Sequence, residues 1–136
     1  MAVTLSEVVR NARLDAIETT IGTSAVLLIR TGAPPSNVAS ASTGTVLATC
    51  NLPSDWLAAA SSGAKAKSGT WEDTSADATG TAGHFEITSS GGTDHIRGTV
   101  TATGGGGDMT VDSTSFTSGQ AFTVTSFTLT DGNAGS

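Results

Sequence analysis

The stretch GTAGHFEITSSGGTDHIRGTV, residues 80–100, decides the fold, because apolar side chains fall at every second position on both sides of a Ser-Gly-Gly turn signal. With Gly91-Gly92 as a two-residue turn, Ser90 faces Thr93. Counting back along both strands sets Ile87 against Ile96, Glu86 against Arg97 and Phe85 against Gly98. This register predicts two isoleucines on the buried face, an opposite-charge pair on the wet face, and a phenylalanine ring over bare glycine backbone. It places His84 opposite Thr99 and His95 opposite Thr88, both on the polar face.

Working outward, the four glycines Gly104–Gly107 suggest a second hairpin with Val100 opposite Val111 and Ala102 opposite Met109. Thr117-Ser118-Gly119-Gln120 turns the chain once more. In the last run, Phe122 and Val124 share one parity while Phe127 and Leu129 share the other, which predicts a bulge near Thr125-Ser126 or burial on both faces. Upstream, Ala25–Arg30 is a continuous apolar run suited to a central strand. Thr31–Asn37 carries Pro34 and Pro35 and breaks the ladder. Val46, Ala48, Cys50 and Leu52 alternate as the next strand, with Cys50 inward as a small buried hydrophobe. Pro53–Ala58 reads as a short helical turn and Lys65–Glu72 as a strand carrying Trp71.

Residues 4–21 have helical periodicity. Thr4 and Glu7 have the spacing of a capping box, Val3 and Val8 that of a hydrophobic staple, and Gly22 is placed to end the helix. Leu5, Val8, Val9, Ala12, Ala16 and Ile17 form its apolar face, which packs on the sheet or docks on a neighbouring subunit. The fold class expected is mainly β: an antiparallel β-sandwich or barrel-like meander of about seven strands behind one amphipathic helix. The divisions are a helix over 1–22, a β-domain over 23–131 and a frayed tail over 132–136.

Ala, Gly, Ser and Thr supply more than half of the 136 residues, and the balance of 6 basic to 12 acidic residues gives a net charge of −6. Nucleic acid is not an expected partner, because phosphate neutralisation needs clustered Lys and Arg. A single Cys50 makes no internal disulfide framework. No apolar run has the length of a membrane span, and the first residues do not read as a secretory signal, so assembly in a cytoplasm is expected. Catalytic signals are weak. Two histidines without a third imidazole or a cysteine make a poor zinc site, Asp73–Gly80 lacks the spacing of a calcium loop, and Gly104–Gly107 has no lysine after it for a phosphate. No catalytic residue, metal or cofactor is expected. Trp56 and Trp71 read as core fillers, with a sugar-stacking platform as the alternative.

LLIRTGAPPSN (27–37), TGTVLAT (43–49), TSADATGTAGHF (74–85) and VTSFTL (124–129) resemble small Ala/Gly/Ser/Thr-rich virion proteins of tailed bacteriophages, most like capsid decoration or cement proteins. The resemblance implies a structural protein on the capsid surface, assembled in the host cytoplasm, bound to the major capsid protein, and oligomeric, with a trimer favoured. A tail, neck or fibre-base component and a carbohydrate-binding β-sandwich are the alternatives. Leu5, Val8, Val9, Ala12 and Ile17 on the helix, with Pro34 and Pro35, are the expected interface. Phe85, Ile87, Ile96, Gly98, Glu86 and Arg97 are the expected structural centre.

Overall fold

A computed structural model describes residues 3–130. One helix, α1 (Glu7–Ile21), precedes nine strands: β1 (Val26–Thr31), β2 (Val46–Asn51), β3 (Ala64–Ala66), β4 (Glu72–Asp73), β5 (Gly80–Thr88), β6 (Asp94–Ala102), β7 (Met109–Val111), β8 (Ser115–Phe116) and β9 (Phe122–Thr130). The sheet runs β2-β1-β5-β6-β7-β9-β3, with β4 attached to β9 and β8 to β5. It is mainly β and curls into a half-barrel. β2 is tied to β4 and to the loop after it: Asp73 Oδ2 accepts the Thr49 N–H at 3.0 Å, and the Asp77 N–H donates to the Leu47 carbonyl at 2.7 Å.

The β5–β6 register is the expected one over its central part, with His84↔Thr99, Phe85↔Gly98, Glu86↔Arg97 and Ile87↔Ile96. The turn differs. Ser89 N–H donates to Thr93 O, and Gly92 at φ 86° closes a three-residue loop over Ser90-Gly91-Gly92. Thr88 consequently faces Asp94, and a one-residue bulge restores the register at Ile96, so His95 is not opposite Thr88. The side-chain pairings beyond the bulge are those that fit best. A Cβ on Gly98 would lie 2.8 Å from the Phe85 ring, which is the glycine-covering contact the sequence called for.

The Gly104–Gly107 hairpin does not form. β7 runs parallel to β6, pairing Val100 with Met109 and Ala102 with Val111. The glycines let the chain double back along β6 before reversing again. In place of a ladder, Thr101 Oγ1 accepts the Gly107 N–H at 3.0 Å, and Asp108 Oδ2 accepts the Thr99 N–H at 3.0 Å. A side chain on Gly105 would strike Thr101. The bulge in β9 lies at Thr125, where Thr110 pairs with Ser126 but Val111 pairs with Val124. It carries Phe122, Val124 and Phe127 into the same core.

Two upstream expectations are corrected. Lys65–Glu72 is not one strand, because Gly69 at φ 71° turns the chain between β3 and β4. Pro53–Ala58 turns at Ser54-Asp55 but does not continue as a helix, since Leu57 bridges to Lys67. β1 is central, between β2 and β5, with Leu27 and Ile29 at 0 % exposure and Leu28 half-buried on the other face. Cys50 is inside, and burial pushes its thiol far above the ordinary range, so it stays protonated. The expected tail, 132–136, lies outside the described residues.

Candidate interaction surface and its supports

The helix begins later than its sequence suggests. Ser6, not Thr4, is the N-cap, its Oγ accepting the Val9 N–H at 3.3 Å. Val3 and Val8 are 73 % and 77 % exposed and form no staple. Glu7 is drawn away from a capping box, because its carboxylate accepts the Ser62 N–H at 3.3 Å. Three further side chains on the same stripe do likewise. Asn11 accepts from Gly63 N at 2.9 Å, Asp15 from Ala60 N at 3.1 Å and Glu18 from Leu57 N at 3.0 Å. These four residues supply acceptors to the Leu57, Ala60, Ser62 and Gly63 N–H groups of the irregular segment 57–63, while Ala58 and Ser61 donate to the carbonyls of Ala66 and Ala64.

Lys65 completes the latch. Its side chain is 2 % exposed, and Nζ lies 2.7 Å from Asp15 Oδ1 and 3.2 Å from Glu18 Oε1. Burial pushes its pKa down, but the two carboxylates outweigh that, and the net direction is up. The Lys65 hydrogen bond is the main cause that holds Asp15 below its usual range. Leu14 and Ile21 supply the buried apolar part of the docking, and Gly22 ends the helix as expected, its carbonyl accepting Trp56 Nε1 at 3.0 Å.

The helix therefore docks through a face nearly opposite to its apolar one. Val8, Val9 and Ala12 remain exposed, while Leu5 and Ile17 are half-buried. Ala16, Ile17, Thr20 and Ile21 edge a groove of about 250 Å³ beside His95. The Glu7, Asn11, Asp15, Glu18 stripe was missed by the sequence reading. Its signal was present as polar acceptors at helical spacing, but such stripes ordinarily face solvent.

Pro34 and Pro35 do not join this ridge. They are half-buried in the 32–45 loop, which covers the face of β5 expected to be wet. Under that cover Glu86 is 0 % exposed, and its carboxylate lies 2.7 Å from Arg30 Nε and 2.8 Å from Arg97 Nη2. Ser42 Oγ donates to Glu86 Oε2 at 2.8 Å, Arg97 Nη1 donates to the carbonyls of Ser40 and Asn37, and Arg30 Nη1 donates to that of Gly44. One carboxylate and two guanidinium groups thus tie the loop to the sheet. His84 is also buried, with Nδ1 2.9 Å from the Gly32 carbonyl, and not solvated as its polar-face register implied.

Burial pushes the Glu86 carboxyl up, yet the Ser42 and Arg30 hydrogen bonds and the two positive charges prevail and hold it below the ordinary carboxylate range. A folded-state pKa below the unfolded one stabilises the fold above the unfolded value, and that stabilisation disappears as pH falls through the folded one. Asp15 acts in the same sense. The urea midpoint is therefore expected to be flat near neutrality and to drop below about pH 4. A midpoint that holds or rises down to pH 3 would contradict this ion-pair assignment.

The remaining chemistry-bearing groups do not converge. His84 lies under the 32–45 loop and His95 beside α1. Among the described residues no three His, Cys, Asp or Glu side chains are grouped to hold a metal ion. In the 73–80 loop, Asp73 caps Ser75 N and Thr49 N while Asp77 accepts from Thr49 Oγ1. Trp56 and Trp71 are each 0 % exposed, with centroids 5.9 Å apart, so neither ring presents a face to a sugar. No described helix is long and apolar enough to cross a membrane. Comparison with known proteins gives no match to a family model, a curated protein or a solved structure.

Proposed function

We propose that this chain is a virion structural protein of a tailed bacteriophage, a capsid decoration or cement protein that sits on the assembled head as a homo-oligomer, with a trimer favoured. The observation that carries this reading is the exposed ridge Val8, Val9, Ala12 on a helix whose other side is latched to the body at four places. Fixing a helix by its polar side and turning its apolar side outward is unfavourable for an isolated molecule. It suits one that spends its working life docked.

The ridge is small, and multivalency makes it sufficient. Burying one valine side chain contributes about 1.5–3 kcal/mol at most, so a single helix binds the major capsid protein weakly. Several copies bound as a unit convert weak contacts into lasting attachment. Binding that favours the closed lattice then raises the cost of opening it. This mechanism needs no cofactor and no reactive side chain.

The test is attachment of purified protein to heads of the encoding phage that lack it. Val8→Asp/Val9→Asp is expected to abolish occupancy while changing the unfolding free energy by no more than about 0.5 kcal/mol, since both positions are exposed. Normal occupancy of the double variant would refute the assignment of the ridge. Labelled protein on whole particles separates the sites: decoration marks the entire head, and a tail, neck or fibre-base component marks one vertex or the tail. Removing residues 1–22 is a poorer test, because it also strips Lys65 of both carboxylates and takes Ile21 from the core.

A further inference from the structure

The sheet is incomplete between β6 and β9. β7 has three residues while each neighbour has nine, so a slot of about 550 Å³ continues its line past Met109. Ile96 and Asp108 line one side, Thr128 and Thr130 the other, and the buried rings of Phe85 and Phe127 reach it from the core. The β9 side is an open ladder. Phe127 O accepts the Lys67 N–H at 2.9 Å, so Phe127 and Leu129 direct their peptide groups at β3, and by alternation Thr128 and Thr130 direct theirs into the slot. There the Thr128 N–H meets only the Asp108 peptide at the end of β7, and Thr130 has no strand partner among the described residues. What satisfies peptide groups in a slot one strand wide is another extended chain.

The structure also holds an extended segment without a ladder. Val3–Ser6 is neither helix nor strand, Ser6 is extended at φ −63° and ψ 158°, and Val3 is 73 % exposed. Val3-Thr4-Leu5 alternates apolar, polar, apolar, is rich in strand-forming side chains and carries no charge. In a chain of net charge −6, an uncharged contact is the kind that brings two copies together without bringing like charges into register.

The arm does not serve its own slot. Glu7 and Asn11 fix the start of α1 to Ser62 and Gly63, next to β3, and both β3 and β9 stand between that point and the slot. Crossing two strand spacings of about 4.8 Å consumes about three residues at roughly 3.3 Å each. Too little of Val3–Ser6 is then left to lie along Thr128–Thr130.

We propose that Val3–Leu5 of one copy adds as a short strand into the β6–β9 slot of a second copy, against Thr128–Thr130. The donating and accepting surfaces differ, so the contact is heterologous and repeats from copy to copy, closing into a ring where the rotation between copies allows it. This rests on and deepens the homo-oligomer part of the function proposed above. Its test needs no capsid, so its failure is distinguishable from failure of the ridge to hold the protein on the head, which occupancy alone reads.

The experiment is sedimentation of the full chain over a wide concentration range, with amide hydrogen exchange read at Thr130. Wild type is expected to self-associate, and this amide to exchange at least about tenfold more slowly in the oligomer than in the monomer. Val3→Asp/Thr4→Pro, at two exposed positions, is expected to remain monomeric with an unchanged near-ultraviolet circular dichroism spectrum and fast exchange at Thr130. A wild type that is monomeric throughout overturns the proposal. So does an oligomer in which Thr130 exchanges as in the monomer, or a double variant that associates like wild type.

Discussion

Glu86→Gln is expected to lower the unfolding free energy by about 3–5 kcal/mol, the usual cost of leaving buried charges without their partner. Arg30 and Arg97 side chains are 16 % and 4 % exposed, so water compensates them poorly once the carboxylate is gone. The loss has a location as well as a size. Glu86 and Arg97 together hold Asn37, Ser40 and Ser42, so protease nicking is expected within 37–44 before the sheet gives way. Urea unfolding measures the first effect and timed digestion the second. A shift below about 0.5 kcal/mol with the loop still protected would mean that the 32–45 cover is held by something other than this cluster.

The second large effect is expected in the core. Phe127 is 3 % exposed and touches two other rings, Trp71 at 5.5 Å and Phe85 edge-on at 5.4 Å, while Trp71 continues to Trp56. Truncating it to alanine opens a cavity at the junction of β5 and β9 and should cost about 3–5 kcal/mol. Phe127→Leu fills more of the space and should cost clearly less. Denaturant unfolding followed by tryptophan emission distinguishes the two, since both indoles lie within the affected chain of rings. Equal losses for both variants would show that ring contacts, and not volume, set the stability there.

These two residues also mark the limits of sequence reasoning here. The β5–β6 pairing was legible because it is local and over-determined: Ile87 with Ile96, Glu86 with Arg97 and Phe85 over Gly98 all require one register. That consistency survived a wrong turn, since the bulge beside His95 absorbed the error. The bulge at Thr125 was legible from the phase change between Val124 and Phe127. The direction of β7 was not. Four glycines signal that a chain can reverse, and they do not count how many times it does. Here the hydroxyl of Thr101 and the carboxylate of Asp108 support a second reversal.

The interaction surface divides in the same way. Leu5, Val8, Val9 and Ala12 were identifiable as one helical face, but periodicity does not say whether that face is covered. Segment 57–63 decides it, because its Leu57, Ala60, Ser62 and Gly63 N–H groups donate to Glu18, Asp15, Glu7 and Asn11 on the helix's polar stripe.

Short-range patterns in the sequence determined a β-rich chain, the pairing of its central hairpin, the stop at Gly22 and the inward turn of Cys50. Tertiary structure alone decided that the charged side of β5 is roofed by the 32–45 loop and that α1 docks by its polar stripe. The physical reason is the same in both cases. Satisfying partly buried polar groups depends on partners 39 to 56 residues away in the chain, and no local period records where such partners come to lie.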